Sequence, residues 1–163
     1  MATLNVRKAE YRDADVLARL VRALNEHQGD PTTHFSPDSV RRDGFGDSPK
    51  FEAWLAELNG EAVGYALVVP AAYETGYAKA GVYLQDLFVA EEARRRGVGR
   101  ALLAAVAAET RKRGLEFVWW ASRAWNTGAH AFFRRLATVE EPIVAFAVFG
   151  EEFDRLADKG DSR

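Results

Sequence analysis

The change of hydrophobic period between residues 81 and 121 constrains this chain more than any other feature. Gly81 to Val89 reads as a strand, and its last residues, Leu87, Phe88 and Val89, form the unbroken apolar run of a buried central strand. From Val98 the period becomes helical. Leu102, Leu103 and Val106 fall on one face of an Ala-rich run, which Gly114 closes behind Arg111, Lys112 and Arg113. Leu115 to Ala121 then returns to a buried-strand pattern. Strand, helix and strand in that order form a crossover and imply a parallel pair.

The flanking segments fill in the architecture. Leu4 to Arg7 alternates as a short strand, and Val16, Leu17, Leu20, Val21 and Leu24 make the apolar stripe of a first helix. Asn25 to Phe35 reads as a loop, after which Ser36 as N-cap, Pro37 at the first helical position and Gly44 as stop bracket a second helix. Phe51 to Leu58 and Ala62 to Val69 are strands joined across Asn59-Gly60, a tight-hairpin dipeptide. Ala71 to Lys79 is a loop or hairpin arm. Asn126 caps a helix carrying Ala129, Phe132, Phe133 and Leu136, and Ile143 to Phe149 is expected as a late strand. This order predicts an α/β fold with a mixed sheet, predominantly antiparallel with one parallel crossover pair. Helices on both faces make it a three-layer α/β/α sandwich. With 163 residues, 48% of them hydrophobic, a single domain over 1–163 is expected.

Composition removes several functions. There is no cysteine, hence no disulfide, thiolate metal site or cysteine acyl-enzyme. Basic and acidic residues number 22 and 24, so the net charge of -2 offers no general attraction to nucleic acid. Met1 to Asp15 carries six charged residues and lacks the apolar core of a signal peptide, and Ala101 to Ala108 is too short to span a bilayer. A cytoplasmic protein without a membrane partner is the expectation. His27, His34 and His130 have no metal-ligand spacing, so no metal is assigned.

Between the buried strand and the Ala-rich helix lies Arg94-Arg95-Arg96-Gly97-Val98-Gly99-Arg100. Glycines there let a ligand approach the main chain, and the first N–H groups of the helix point at it with the positive end of the helix dipole. Such a turn suits a pyrophosphate, with the arginines adding charge-assisted contacts. A third glycine is missing for a dinucleotide fingerprint, and no Lys-Ser/Thr follows Gly99 as a Walker loop needs.

The R-x-x-G-x-G turn after Leu87-Phe88-Val89, followed by Asn126-x-x-Ala129-x-x-Phe132-Phe133, resembles the GCN5-related N-acetyltransferases (GNAT). Asp43-Gly44-Phe45-Gly46, Tyr83-Leu84-Gln85-Asp86-Leu87-Phe88-Val89 and Trp125-Asn126 are similar to the spermidine/spermine, diamine and thialysine branch. The resemblance implies acetyl-CoA as co-substrate, a homodimer, and transfer of acetyl to a primary amine of a polyamine, diamine or lysine-like amino acid. It assigns the pyrophosphate to Arg94, Arg95, Arg96, Gly97, Val98, Gly99 and Arg100. It assigns the pantetheine arm to Leu87, Phe88, Val89 and Asn126, with Phe132 beside them. The family's catalytic Glu and Tyr positions fall on Gln85 and Phe133.

At neutral pH only about one alkylamine in a thousand is the free base, so some group must take a proton. Gln85 can hydrogen-bond the amine but cannot accept its proton, and strand alternation sets the adjacent Asp86 on the opposite side. Glu26, Asp30, Glu140 and Glu141 are acidic candidates, and His27 is a base of suitable intrinsic strength. Without cysteine, direct attack of the amine on the thioester is the simplest mechanism, with backbone N–H near Phe88 and Val89 polarising the carbonyl. Trp54 is expected in the core, and Trp119, Trp120 and Trp125 could wall an amine pocket that also takes in Glu26 and His27. The alternatives are an acyl-CoA-binding sensor and acetylation of another amine, such as an aminoglycoside or a protein N-terminus.

Overall fold

Asn59 and Gly60 both take positive φ, 52° and 84°, and return the chain from β2 (Glu52–Leu58) into β3 (Glu61–Glu74). This is the tight turn the dipeptide predicts. The computed structural model describes residues 2–161. They form two units, divided between Ala121 and Ser122.

In the first unit five strands lie in the order β1-β2-β3-β4-β5, with β1 at Leu4–Lys8, β4 at Lys79–Val89 and β5 at Phe117–Trp119. The pairs β1/β2, β2/β3 and β3/β4 are antiparallel, and β4/β5 is parallel. The mixed sheet predicted from the crossover is therefore present. The arm from Ala71 to Lys79 is a hairpin: β3 runs on to Glu74 and pairs it with Lys79.

Helix α1 (Ala14–Gln28) ends at Gly29 in the left-handed region, φ 74°, so the expected loop begins four residues later than Asn25. Its apolar stripe, Leu17, Leu20, Val21 and Leu24, packs with Val40 of α2 (Pro37–Gly44) onto Ala53, Leu55, Tyr65, Leu67 and Phe88 of the sheet. Ser36 caps α2 as predicted, its hydroxyl accepting from Ser39 N at 3.2 Å. The other face of the sheet meets α3 (Val98–Lys112), where Leu102 approaches Gly64. Trp54 lies buried under the Lys8 ammonium, as a core residue should.

In the second unit Asn126 caps α4 (Thr127–Phe133), and α5 spans Gly150–Asp161. Two expectations are corrected. The strand placed at Leu115 to Ala121 is only three residues long. No strand forms at Ile143 to Phe149, where Val144, Phe146 and Phe149 are exposed and no ladder partner pairs with them. Uniform apolarity carries no period, and a strand exists only where a neighbour takes its hydrogen bonds. Helix α5 follows instead. Its signs were Glu151 and Glu152 in a first turn and the i,i+3 pair Phe153 and Leu156.

Candidate functional site

Ladder pairing between β4 and β5 ends at Tyr83↔Trp119. From Leu84 to Val89, β4 is hydrogen-bonded to β3 alone among the described strands. The phase of that pairing is fixed by Ala90 N donating to Val63 O at 2.8 Å. Residues two apart share an orientation, so the Phe88 amide faces β3 and those of Leu87 and Val89 face the open side. Of the two amides expected to polarise a carbonyl, Phe88's is therefore committed to the ladder. Its ring is buried too, tilted against Tyr65 at 6.1 Å between centroids.

The open edge leads into the arginine-glycine turn. Arg95 and Gly97 take positive φ, 59° and 80°, and Gly97 is the N-cap of α3. With no side-chain cap there, the first N–H groups of the helix, at Val98, Gly99 and Arg100, have no intrahelical acceptor. Arg95, Arg96 and Arg100 are exposed beside them. Arg94 differs: its Nε donates to Val89 O at 3.0 Å, closing the strand end onto the turn.

A β-bulge shapes the middle of β4. Val68 pairs with Leu84 and Leu67 with Asp86, leaving Gln85 as the extra residue. The insertion resets the alternation. Leu67 and Phe88 belong to the α1-side core and Asp86 reaches Tyr65 of that core, whereas Leu84 is buried outside it. Gln85 itself is exposed. Asp86 accepts from the Tyr65 hydroxyl at 3.0 Å. Burial pushes the Asp86 carboxyl up, the Tyr65 hydrogen bond pulls it down, and the charge of Asp30 pushes it up again. Burial likewise drives the Tyr65 hydroxyl far above its ordinary range, with Asp86 adding to the effect. Alternation alone missed this pair; the adjacent polar residues Gln85 and Asp86 inside an apolar strand were the available signal.

Glu26 and His27 are exposed in the last turn of α1, and Trp120 is half-buried just past β5. In the second unit the Asn126 carboxamide oxygen accepts from Ala129 N at 3.2 Å, so that atom holds the helix start. Phe132 and Phe133 are half-buried and tilted against each other at 5.3 Å. Glu140 is paired with Arg134 at 2.6 Å, and that hydrogen bond holds its carboxyl below the usual range, which makes it a poor proton acceptor. Among the described residues no group of three His, Cys, Asp or Glu could hold a metal, and no helix is long and apolar enough to cross a membrane.

A mixed α/β sheet whose buried strand opens one edge beside an uncapped, glycine-led helix start offers backbone donors to an extended ligand that ends in phosphate groups. Residues 19–137 match the Acetyltransferase (GNAT) family, and the chain belongs to it. It is an N-acetyltransferase acting on amines, with acetyl-CoA as co-substrate. A thialysine N-epsilon-acetyltransferase of Bos taurus is 29% identical over 98% of this chain and 100% of its own length. An L-ornithine N5-acetyltransferase of Arabidopsis thaliana is 35% identical over 55% of this chain and 40% of its own length. Among solved structures, an aminoglycoside N-acetyltransferase in complex with CoA superposes with a TM-score of 0.74 at 20% identity, covering 91% of this chain and 96% of that one. That likeness is one of fold.

Proposed function

We propose that this enzyme acetylates a primary amine of a small diamine-like molecule, a polyamine or a lysine-like amino acid, by direct attack on acetyl-CoA. The reading is carried by the similarity to a thialysine acetyltransferase along almost the whole chain, with the ornithine acetyltransferase agreeing on a side-chain amine. Residues 1–163 act as a single acetyltransferase domain, of which Met1, Ser162 and Arg163 lie outside the described residues. The proposal also includes a homodimer as the working unit, which the sequence resemblance to the family implies, and a cytoplasmic location.

The residues fit the co-substrate. The free N–H groups of Val98, Gly99 and Arg100 would hold the pyrophosphate, with Arg95, Arg96 and Arg100 supplying charge. The outward amides of Leu87 and Val89 would take the pantetheine arm and hold the acetyl carbonyl polarised. Arg94 would act indirectly, fixing Val89 against the turn. Asn126 and Phe132 would serve from α4, Phe133 stands where the family's acid does, and Gln85, Glu26, His27 and Trp120 would border the amine. Acetyl-CoA brings an activated acyl group, and the protein's contribution is position and polarisation.

The test is thiol release from acetyl-CoA against thialysine, ornithine, diamines, polyamines, aminoglycosides and a peptide N-terminus. The expected result is fastest turnover with thialysine, ornithine or a diamine. Preferential turnover of the aminoglycosides or the peptide would overturn the substrate assignment.

A further inference from the structure

Position 85 holds a carboxamide where the reaction needs a proton acceptor, and the bulge at that residue turns the next side chain, Asp86, towards the α1-side core. We propose that Asp86 is the catalytic proton acceptor for the amine in this chain, and that Tyr65 is the positioning residue that aims its carboxylate. The proposal rests on the acetyltransferase reading above.

Three observations support it. Asp86 lies three residues before Val89, roughly 10 Å along the strand, on the stretch of β4 whose edge is open. Tyr65 is fully buried in the core, so its hydroxyl is a fixed donor that holds one carboxylate oxygen, Oδ2, and leaves Oδ1 without a hydrogen bond from it. Asp86 forms no ion pair among the described residues, and the charge that acts on it, Asp30 in the loop after α1, has the same sign. A partly buried carboxylate with no ion pair among the described residues lacks a counter-ion, and an alkylammonium supplies one. The surroundings that raise the affinity of Asp86 for a proton also bring it closer to that of the amine, which is what a general base requires.

The step balances. The ammonium R-NH3+ gives one proton to the Asp86 carboxylate, and the freed nitrogen forms a bond to the acetyl carbon. The carbon–sulfur bond breaks with its electron pair on sulfur. The thiolate takes the second proton from nitrogen, and Asp86 returns the first to water. One amine and one acetyl-CoA give one amide, one coenzyme A thiol and one proton.

The experiment measures thiol release with thialysine and coenzyme A affinity by calorimetry, for the wild type, Asp86→Asn and Tyr65→Phe. Asp86→Asn is expected to lower kcat about 100-fold or more while coenzyme A affinity and Tm stay near wild type. An unchanged kcat overturns the proposal. Tyr65→Phe removes only the hydrogen bond that favours the charged carboxylate, so the acid limb of its kcat/KM profile should move to higher pH. A limb that stays in place overturns the proposal also where Asp86→Asn fails to fold. A wild type that binds no coenzyme A, or turns over no amine, defeats the acetyltransferase reading and this proposal together. Wild-type turnover matched by Asp86→Asn defeats this proposal alone.

Discussion

The amide of Ala90 donates to the carbonyl of Val63, and this 2.8 Å bond decides which amides of β4 are spent in the sheet. Phe88 is spent and Val89 is not, because Phe88 shares the orientation of Ala90 while Val89 has the opposite one. The two positions should answer differently to proline, which removes an N–H. Val89→Pro removes an outward donor and should weaken coenzyme A binding about 5- to 10-fold, one hydrogen bond of roughly 1 kcal/mol, with little change in Tm. Phe88→Pro removes a ladder bond and a buried ring, and should cost about 3 kcal/mol or more. Calorimetry and thermal melts check the pair; equal coenzyme A affinity in Val89→Pro and wild type would show that the open edge is not used.

Gly97 is required by its backbone, not by crowding. Its φ is 80°, and a Cβ built there meets nothing within 4 Å. Gly97→Ala should therefore destabilise by roughly 1–2 kcal/mol, the left-handed penalty, and Gly97→Asn by less, since Asn tolerates that region. Gly97→Asp also sets a negative charge beside the helix start and should cut coenzyme A affinity well below that of Gly97→Asn. Denaturant titration and calorimetry separate the two effects. Equal affinity of the Asp and Asn variants would dissociate this turn from the diphosphate.

The turns were the legible part of the chain. Asn59-Gly60, Ser36-Pro37 and Gly97-Val98 each announce a backbone geometry that only a few residue types accept, and each appears where the sequence placed it. The crossover from β4 through α3 to β5 was legible because the period changes twice. The bulge was not, since one inserted residue costs nothing in composition and merely shifts the phase of alternation. Alternation set Asp86 on the side opposite Gln85, but its hydrogen bond from Tyr65 was not legible. At Ile143 to Phe149 the run of apolar residues offered no phase at all.

Arg7 and Asp13 form a two-point ion pair, 2.7 and 2.9 Å, and Asp13 also accepts from Glu10 N at 2.7 Å at the entry to α1. The Arg7 hydrogen bond holds the Asp13 carboxyl below the usual range against the opposing effect of burial. A carboxyl depressed in the folded state stabilises fully above its unfolded value and loses that contribution as the pH falls through the folded one. Asp13→Asn should therefore cost about 2–3 kcal/mol at pH 7, and its deficit in Tm should shrink as the pH drops below 4. A deficit independent of pH would mean that shape, not charge, accounts for the loss.

Gly81 shows why the parallel strand can sit where it does. A Cβ at this position would lie 2.5 Å from the Phe117 carbonyl oxygen and 2.7 Å from its ring, so β4 and β5 approach as they do only because residue 81 has no side chain. Gly81 pairs with Phe117 at one end of a ladder that extends only to Tyr83↔Trp119. A backbone oxygen cannot rotate aside as a flexible side chain can, so Gly81→Ala must push β5 outward or twist β4. With only three registered pairs, the ladder has little to hold it. The expected cost is about 2–3 kcal/mol, at the level of an overpacked core, and hydrogen exchange at Val118 and Trp119 should accelerate more than at β2 or β3. Gly81 lies near the start of β4, away from the strand end at Val89 that leads into the glycine turn, so coenzyme A affinity should fall less than turnover. A variant with wild-type exchange along β5 would show that the two strands can separate without cost and that the close approach at Gly81 does not set the opening of the sheet.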